Sequence, residues 1–224
     1  MQIAEKIAEI LKELSPYGAR LVAVSKTHPH EAVLEAYQAG HRIFGENKVQ
    51  ELTEKAERLP KDIEWHMIGH LQRNKVKFIA PFVSLIHSVD SLRLLEEINK
   101  QGEKFQRIIP CLLQMHIAKE ETKFGFDQAE LLDAMPAIQE MKWIQIQGLM
   151  GMATFTEDKE QVRSEFQSLR MIFEALKNGY SIQNVLMKEL SMGMSGDYKI
   201  ALEEGSTLIR IGTTIFGSRN YSNG

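Results

Sequence analysis

Only one cysteine, Cys111, occurs in 224 residues, and it sits inside an apolar run. A disulfide framework is excluded, a reducing, cytoplasmic setting is expected, and Cys111 reads as a small core residue. No uninterrupted apolar stretch is long enough for a bilayer. The opening MQIAEKIAEILKEL is charged throughout, so neither a membrane span nor a secretory leader is expected. Neither sign of charge dominates. Lys and Arg number 27 and Asp and Glu 30, a formal charge of −3, which offers no footprint for nucleic acid. The Gly-rich dinucleotide turn, the Walker loop, HExxH and paired CxxC motifs are missing too. His28, His30 and His66 lack a convincing set of partner ligands, so no metal is expected.

What is present is an alternation. A first amphipathic helix carries Ile3, Ile7, Ile10, Leu11 and Leu14 on one face and ends at Ser15, Pro16 and Gly18. Eight short apolar runs follow. They are LVAVS (21–25), RIF (42–44), EWHMIG (64–69), SLIHSV (84–89), IIPCLLQMHI (108–117), IQIQGLMGM (144–152), VLMKELSM (185–192) and TLIRIG (207–212). Amphipathic helical segments separate nearly all of them. HEAVLEAYQAG ends at Gly40, NKVQELTEKAERLP at Pro60 and DSLRLLEEINKQG at Gly102. Repeated βα units with apolar strands imply a parallel sheet. Eight in this length predict an α/β fold, a single (β/α)8 TIM barrel over residues 1–224 with an extra N-terminal helix. An open doubly wound sheet would place a Gly-rich turn after strand one, where SKTHP stands instead.

In such a barrel the chemistry gathers where the strands end. Val22, Val24 and Lys26 share one face by the two-residue period, so Lys26 points inward if the valines do. A poorly solvated lysine has a lowered pKa and suits a Schiff base with an aldehyde or ketone. Strand seven runs into SMGMSGD (191–197), with hydroxyls at Ser191 and Ser195, close backbone approach at Gly193 and Gly196, and an N-cap at Asp197. Strand eight runs into RIGT (210–213), where Gly212 and Thr213 add a second donor set. Loops after these two strands are the recurrent phosphate site of the fold. Arg210 faces the same way as Leu208 and would meet either Glu189 or a ligand ring nitrogen. Asn47 with Gln50 has the spacing of a capping box. His66 reads as a packed strand histidine, His28 and His30 as exposed at a helix start. His70, Arg73, Asn74, Lys75 and Lys77 read as a solvated face.

A lysine nucleophile, a phosphate cradle and an inward arginine together suit a phosphorylated aldehyde. Pyridoxal 5′-phosphate (PLP) carries an aldehyde, a phosphate and a ring nitrogen on one rigid ring. A cationic Arg210 beside that nitrogen would keep it unprotonated and weaken the ring as an electron sink. The segments AVSKTHP, FGENKVQE, EWHMIGHLQRNK, HSVDS, KFGF, GLMGM, LSMGMSGDYKIALEEGST and IRIGTTIFG, spanning residues 21–217, closely resemble the pyridoxal-phosphate homeostasis (YggS/PROSC) family. Those proteins are relatives of the alanine racemase barrel.

The resemblance implies a type III PLP fold without the β-domain. Lys26 would be the Schiff-base lysine. Ser195, Gly212 and Thr213 would hold the phosphate, with Ser191 and the backbone around Met192 and Gly193. Arg210 would face the pyridine nitrogen, and Asn47 and His66 would line the pocket. QMHI (114–117) departs from the family pattern, which implies asparagine where His116 stands. The family is regarded as non-enzymatic, binding PLP and passing it on, so no catalytic residue is expected and apo PLP-dependent enzymes would be the recipients. A racemase needs a second base on the opposite face of the substrate. In alanine racemases that base is a tyrosine from a separate β-domain, and none is expected after Tyr221. The alternatives are a weak racemase-like PLP enzyme and a cofactor-free Schiff-base aldolase. A closed barrel leaves no free strand edge, so a monomer is expected.

Overall fold

Each apolar run becomes a strand within a few residues of its expected bounds. In the computed structural model, which describes residues 2–119, 124–180 and 182–217, these are β1 (Arg20–Val24), β2 (Ile43–Glu46), β3 (Glu64–Met67), β4 (Leu85–Val89), β5 (Ile109–Gln114), β6 (Ile144–Met150), β7 (Val185–Ser191) and β8 (Leu208–Ile211). They pair in chain order, all parallel, and β8 closes on β1 to complete the barrel. The helices are α1 (Ile3–Leu14), α2 (His30–Gln38), α3 (Val49–Arg58), α4 (Val76–Ile79), α5 (Leu92–Lys104), α6 (Gln128–Gln139), α7 (Lys159–Gly179), α8 (Tyr198–Glu203) and α9 (Thr213–Phe216). None of them is long and apolar enough to cross a membrane.

The extra helix α1 buries Ile7, Ile10 and Leu14 and leaves Leu11 exposed. It packs against α2, β1 and α9, and Lys6 Nζ donates to the Ile215 carbonyl at 3.2 Å. A short 3-10 turn (Ser15–Tyr17) ends it, and Gly18 takes φ +64°, a left-handed conformation that glycine adopts without a Cβ clash. Gly102 does not end α5, which runs on to Lys104. A Cβ at Gly102 would lie 2.6 Å from the Trp143 carbonyl and 2.8 Å from that of Arg107. The glycine there serves close packing rather than helix termination.

Strand residues alternate between two apolar layers. Leu21, Ala23, Phe44, Trp65, Met67, Ile86, Leu113, Leu149 and Ile209 point outward into a continuous core beneath the helices. Val22, Leu85, Leu112, Met150 and Leu208 point inward and form a small plug. The wall is not uniform. β5 and β6 pair over six positions, whereas β7 and β8 share one, Ser191 with Leu208. Side chains stitch that seam. Thr207 Oγ1 accepts the Leu190 amide hydrogen at 2.8 Å and donates to Glu189 at 2.8 Å, while Ser206 Oγ donates to the Met192 carbonyl at 2.7 Å.

Candidate cofactor site

A cavity of about 450 Å³ opens where the strands end, a size suited to a small cofactor. The parity of β1 places Val22 in the plug, Val24 in the cavity floor and Lys26 at the cavity, half-buried. Of the ten residues singled out from the sequence, Lys26, Asn47, Ser195, Arg210, Gly212 and Thr213 line this one cavity. Asn47 is not a helix cap. The cap of α3 is Lys48, with no side-chain bond, and parity with Ile43 and Gly45 turns Asn47 inward. His28, expected to be exposed, is half-buried, lines the cavity and stacks on Phe216 at 5.0 Å. His116 is exposed beyond the end of β5 and does not line the cavity.

Ser191, Met192, Gly193 and His66 do not line the cavity. The Met192 side chain is fully buried in the outer layer, and its amide and carbonyl face Ser206 Oγ at 3.4 and 2.7 Å. The Gly193 carbonyl accepts the Arg210 amide hydrogen at 3.1 Å. Gly193 has φ +94°, and a Cβ there would lie 2.6 Å from that of Ala201. Met192 and Gly193 therefore shape the turn, and the residues from that turn that reach the cavity are Met194, Ser195, Gly196 and Asp197. Asp197 holds the N-cap position of α8, as expected, but without a side-chain capping bond. Its Oδ1 accepts the Met194 amide hydrogen at 2.6 Å, which closes the turn.

Ser191 and His66 belong instead to a buried polar column that runs down the barrel from Arg210. The guanidinium donates to Ser191 Oγ at 2.5 Å and to the Gly151 carbonyl at 3.1 Å. Ser191 Oγ lies 2.9 Å from His87 Nδ1, and His87 Nε2 lies 3.0 Å from His66 Nδ1. Arginine only donates, so Ser191 Oγ accepts from it. One hydrogen bridges Ser191 and His87, and another bridges His87 and His66. Burial holds both imidazoles neutral. It pushes His66 down to about 3, helped by the charge of Arg20, and holds His87 well below its ordinary value, with His66, Arg210 and Arg20 adding to the effect. Burial also pulls Arg210 down to about 10, with Asp197 opposing, so it stays charged at neutral pH. Glu189 does not meet Arg210. It pairs with Arg20 at 2.5 Å. His87 was not singled out from the sequence, although its parity with Leu85 places it inside the barrel.

These groups are of the kinds PLP requires: an amine at Lys26 that could meet an aldehyde, hydroxyls at Ser195 and Thr213 that could meet a phosphate, and a fixed cation at Arg210 that could meet a ring nitrogen. Gly212 admits a close turn, since a Cβ there would sit 3.0 Å from the Val24 carbonyl. Among the described residues no three His, Cys, Asp or Glu side chains gather as a metal site.

Comparison with known proteins identifies the family. Residues 1–220 match the family model for the alanine racemase N-terminal domain. A pyridoxal phosphate homeostasis protein of Aquifex aeolicus (strain VF5) is 41% identical, covering 91% of this chain and 88% of its own. Its namesake in Homo sapiens is 38% identical over 99% and 84%. The structure of PipY from Synechococcus elongatus PCC7942 with PLP bound superposes with a TM-score of 0.88 at 38% identity, covering 96% of this chain and all of that one. Alanine racemase from Bartonella henselae, at 15% identity and a TM-score of 0.73, shares the fold over 99% of this chain and 60% of its own. The chain belongs to the alanine racemase N-terminal domain family, among the pyridoxal phosphate homeostasis proteins.

Proposed function

We propose that this protein binds PLP covalently through Lys26 and serves intracellular PLP homeostasis, without robust catalysis of its own. One observation carries the reading: Lys26 and the turns at 194–197 and 212–213 line the same cavity. When bound, PLP supplies an aldehyde carbon and a ring that can accept electrons. The chain's own groups determine how that chemistry is used. Ser195 and Thr213, with the backbone around Gly196 and Gly212, hold the phosphate. Arg210, fixed by two neutral oxygens, disfavours a proton on the nitrogen it faces, which blunts electron withdrawal and suits a carrier. Asn47 completes the wall beside Lys26. Beneath them Ser191 and His66 act through Arg210, while Met192 and Gly193 shape the phosphate turn. Residues 1–224 act as one binding domain, monomeric, with apo PLP-dependent enzymes as recipients.

Incubation with PLP, borohydride reduction and peptide mapping test the assignment. Wild type should turn yellow and carry the label on Lys26, and Lys26→Ala should do neither. A Lys26→Ala protein that stays yellow rules the assignment out. For the carrier role, holo-protein should load an apo-enzyme faster than it releases free PLP. Sustained α-hydrogen exchange of an amino acid in deuterated water would show a catalyst instead.

A further inference from the structure

Lys26 lies two residues beyond the end of β1, outside the barrel ladder. The residue after it, Thr27, takes φ +65°, a left-handed conformation that costs a non-glycine residue about 1–2 kcal/mol. Something must hold this backbone, and the contacts identify it. Lys55 Nζ donates to the Ser25 carbonyl at 2.7 Å, Ser25 Oγ donates to Glu46 Oε1 at 2.6 Å, and the Thr27 amide donates to Glu51 Oε1 at 2.6 Å. The same ammonium joins the two carboxylates, at 2.7 Å from Glu46 and 2.9 Å from Glu51. Three donors meet three acceptors, so Lys55 is saturated.

Lys55 is 3% exposed and Glu46 is fully buried, a costly place for ions. Buried ion pairs are often no more stabilising than apolar residues of the same size. Stability alone therefore does not explain three ionised side chains here. Their common target does, because the residues they grip, Ser25 and Thr27, are the two neighbours of Lys26.

We propose that Lys55, Glu46 and Glu51 form a backbone clamp that positions Lys26 for covalent capture of PLP. The inference rests on the Lys26 reading above. Capture forms a C=N bond between Lys26 Nζ and the aldehyde carbon. The aldehyde oxygen leaves as water with the two amine hydrogens, and no oxidant or reductant is needed. None of the clamp residues lines the cavity, so they act through the backbone of Lys26 and not on the cofactor.

The test separates capture from plain binding. The rate of covalent PLP capture is followed by visible absorbance, and the affinity for pyridoxine 5′-phosphate, which has no aldehyde, is measured alongside. Glu51→Ala should slow capture roughly ten- to a hundredfold, the penalty of a misplaced reacting group, while the affinity for the analogue stays at the wild-type value. Glu51→Gln, which keeps the acceptor oxygen, should restore the rate. Lys55→Met should show the same split as Glu51→Ala. If Lys55→Met does not fold, the half-buried Glu51 variants decide. Capture by Glu51→Ala at the wild-type rate overturns the clamp, as does a parallel loss of capture and analogue binding, or a Gln variant as slow as Ala. Failure of wild type itself to capture PLP on Lys26 would instead overturn the reading beneath it.

Discussion

The two faces of the barrel wall solve different problems. Outside, nearly every inward-facing helix residue and outward-facing strand residue is apolar, and the core runs without a break from Ile7 to Ile215. Inside, five buried apolar side chains make a plug, and Arg210, Ser191, His87 and His66 form one hydrogen-bonded file. The outer face stabilises by area removed from water. The inner face gives up apolar burial to hold a cation in place under the cavity. The inner surface of the strands serves the ligand, and the outer surface serves folding except where Ser25 and Glu46 meet Lys55.

The largest effect should come from the outer face. Phe166→Ala, at a fully buried position, should cost about 3–5 kcal/mol in denaturant unfolding and leave PLP capture by the folded fraction unchanged. A change in capture would break the division between the faces. On the inner face, His87→Leu strands the Ser191 hydroxyl and His66 Nδ1 and should cost about 1–3 kcal/mol. It should also weaken binding of pyridoxine 5′-phosphate, which has the same ring nitrogen.

The same pair of histidines should set the acid limit. Folding holds both neutral, His66 down to about 3, while the unfolded chain protonates them below about 6.5. Their contribution is complete above that pH and is lost as pH falls. The slope approaches about 1.4 kcal/mol per pH unit for each histidine, and urea titrations of wild type and His87→Leu should differ by one histidine's share. The smallest effect should be at the surface. Arg58 and Glu54 lie 3.4 Å apart and are 65% and 54% exposed, so Arg58→Ala should change stability by no more than about 0.5 kcal/mol. A larger change would show that the outer face reaches further than its apolar core.

The barrel and the place of Lys26 at its cavity were legible because both follow from period. Eight apolar runs separated by amphipathic segments leave little choice of fold, and two-residue alternation carries Lys26 inward with Val22 and Val24. What was not legible depends on partners distant in the chain. Asn47 has a local capping pattern, yet strand parity overrides it. Gly102 looks like a stop signal until Trp143 is packed against it. Glu46 and Lys55 read as ordinary strand and helix positions, since only the folded barrel brings Lys55 within reach of the Ser25 carbonyl. His87 had a signal that went unused, a histidine in mid-strand on the inward parity.

The seam between β7 and β8 has a consequence for which residues the chain can exchange. Elsewhere in the wall, main-chain ladders hold neighbouring strands together, and a ladder is indifferent to side-chain identity. Between β7 and β8 the main-chain bonds are few, from the Thr207 amide to the Leu190 carbonyl at 2.9 Å and from the Arg210 amide to the Gly193 carbonyl at 3.1 Å, and the hydroxyls of Ser206 and Thr207 supplement them. Closure of the barrel therefore draws more on the identity of two small polar residues here than at the longer ladders of the wall.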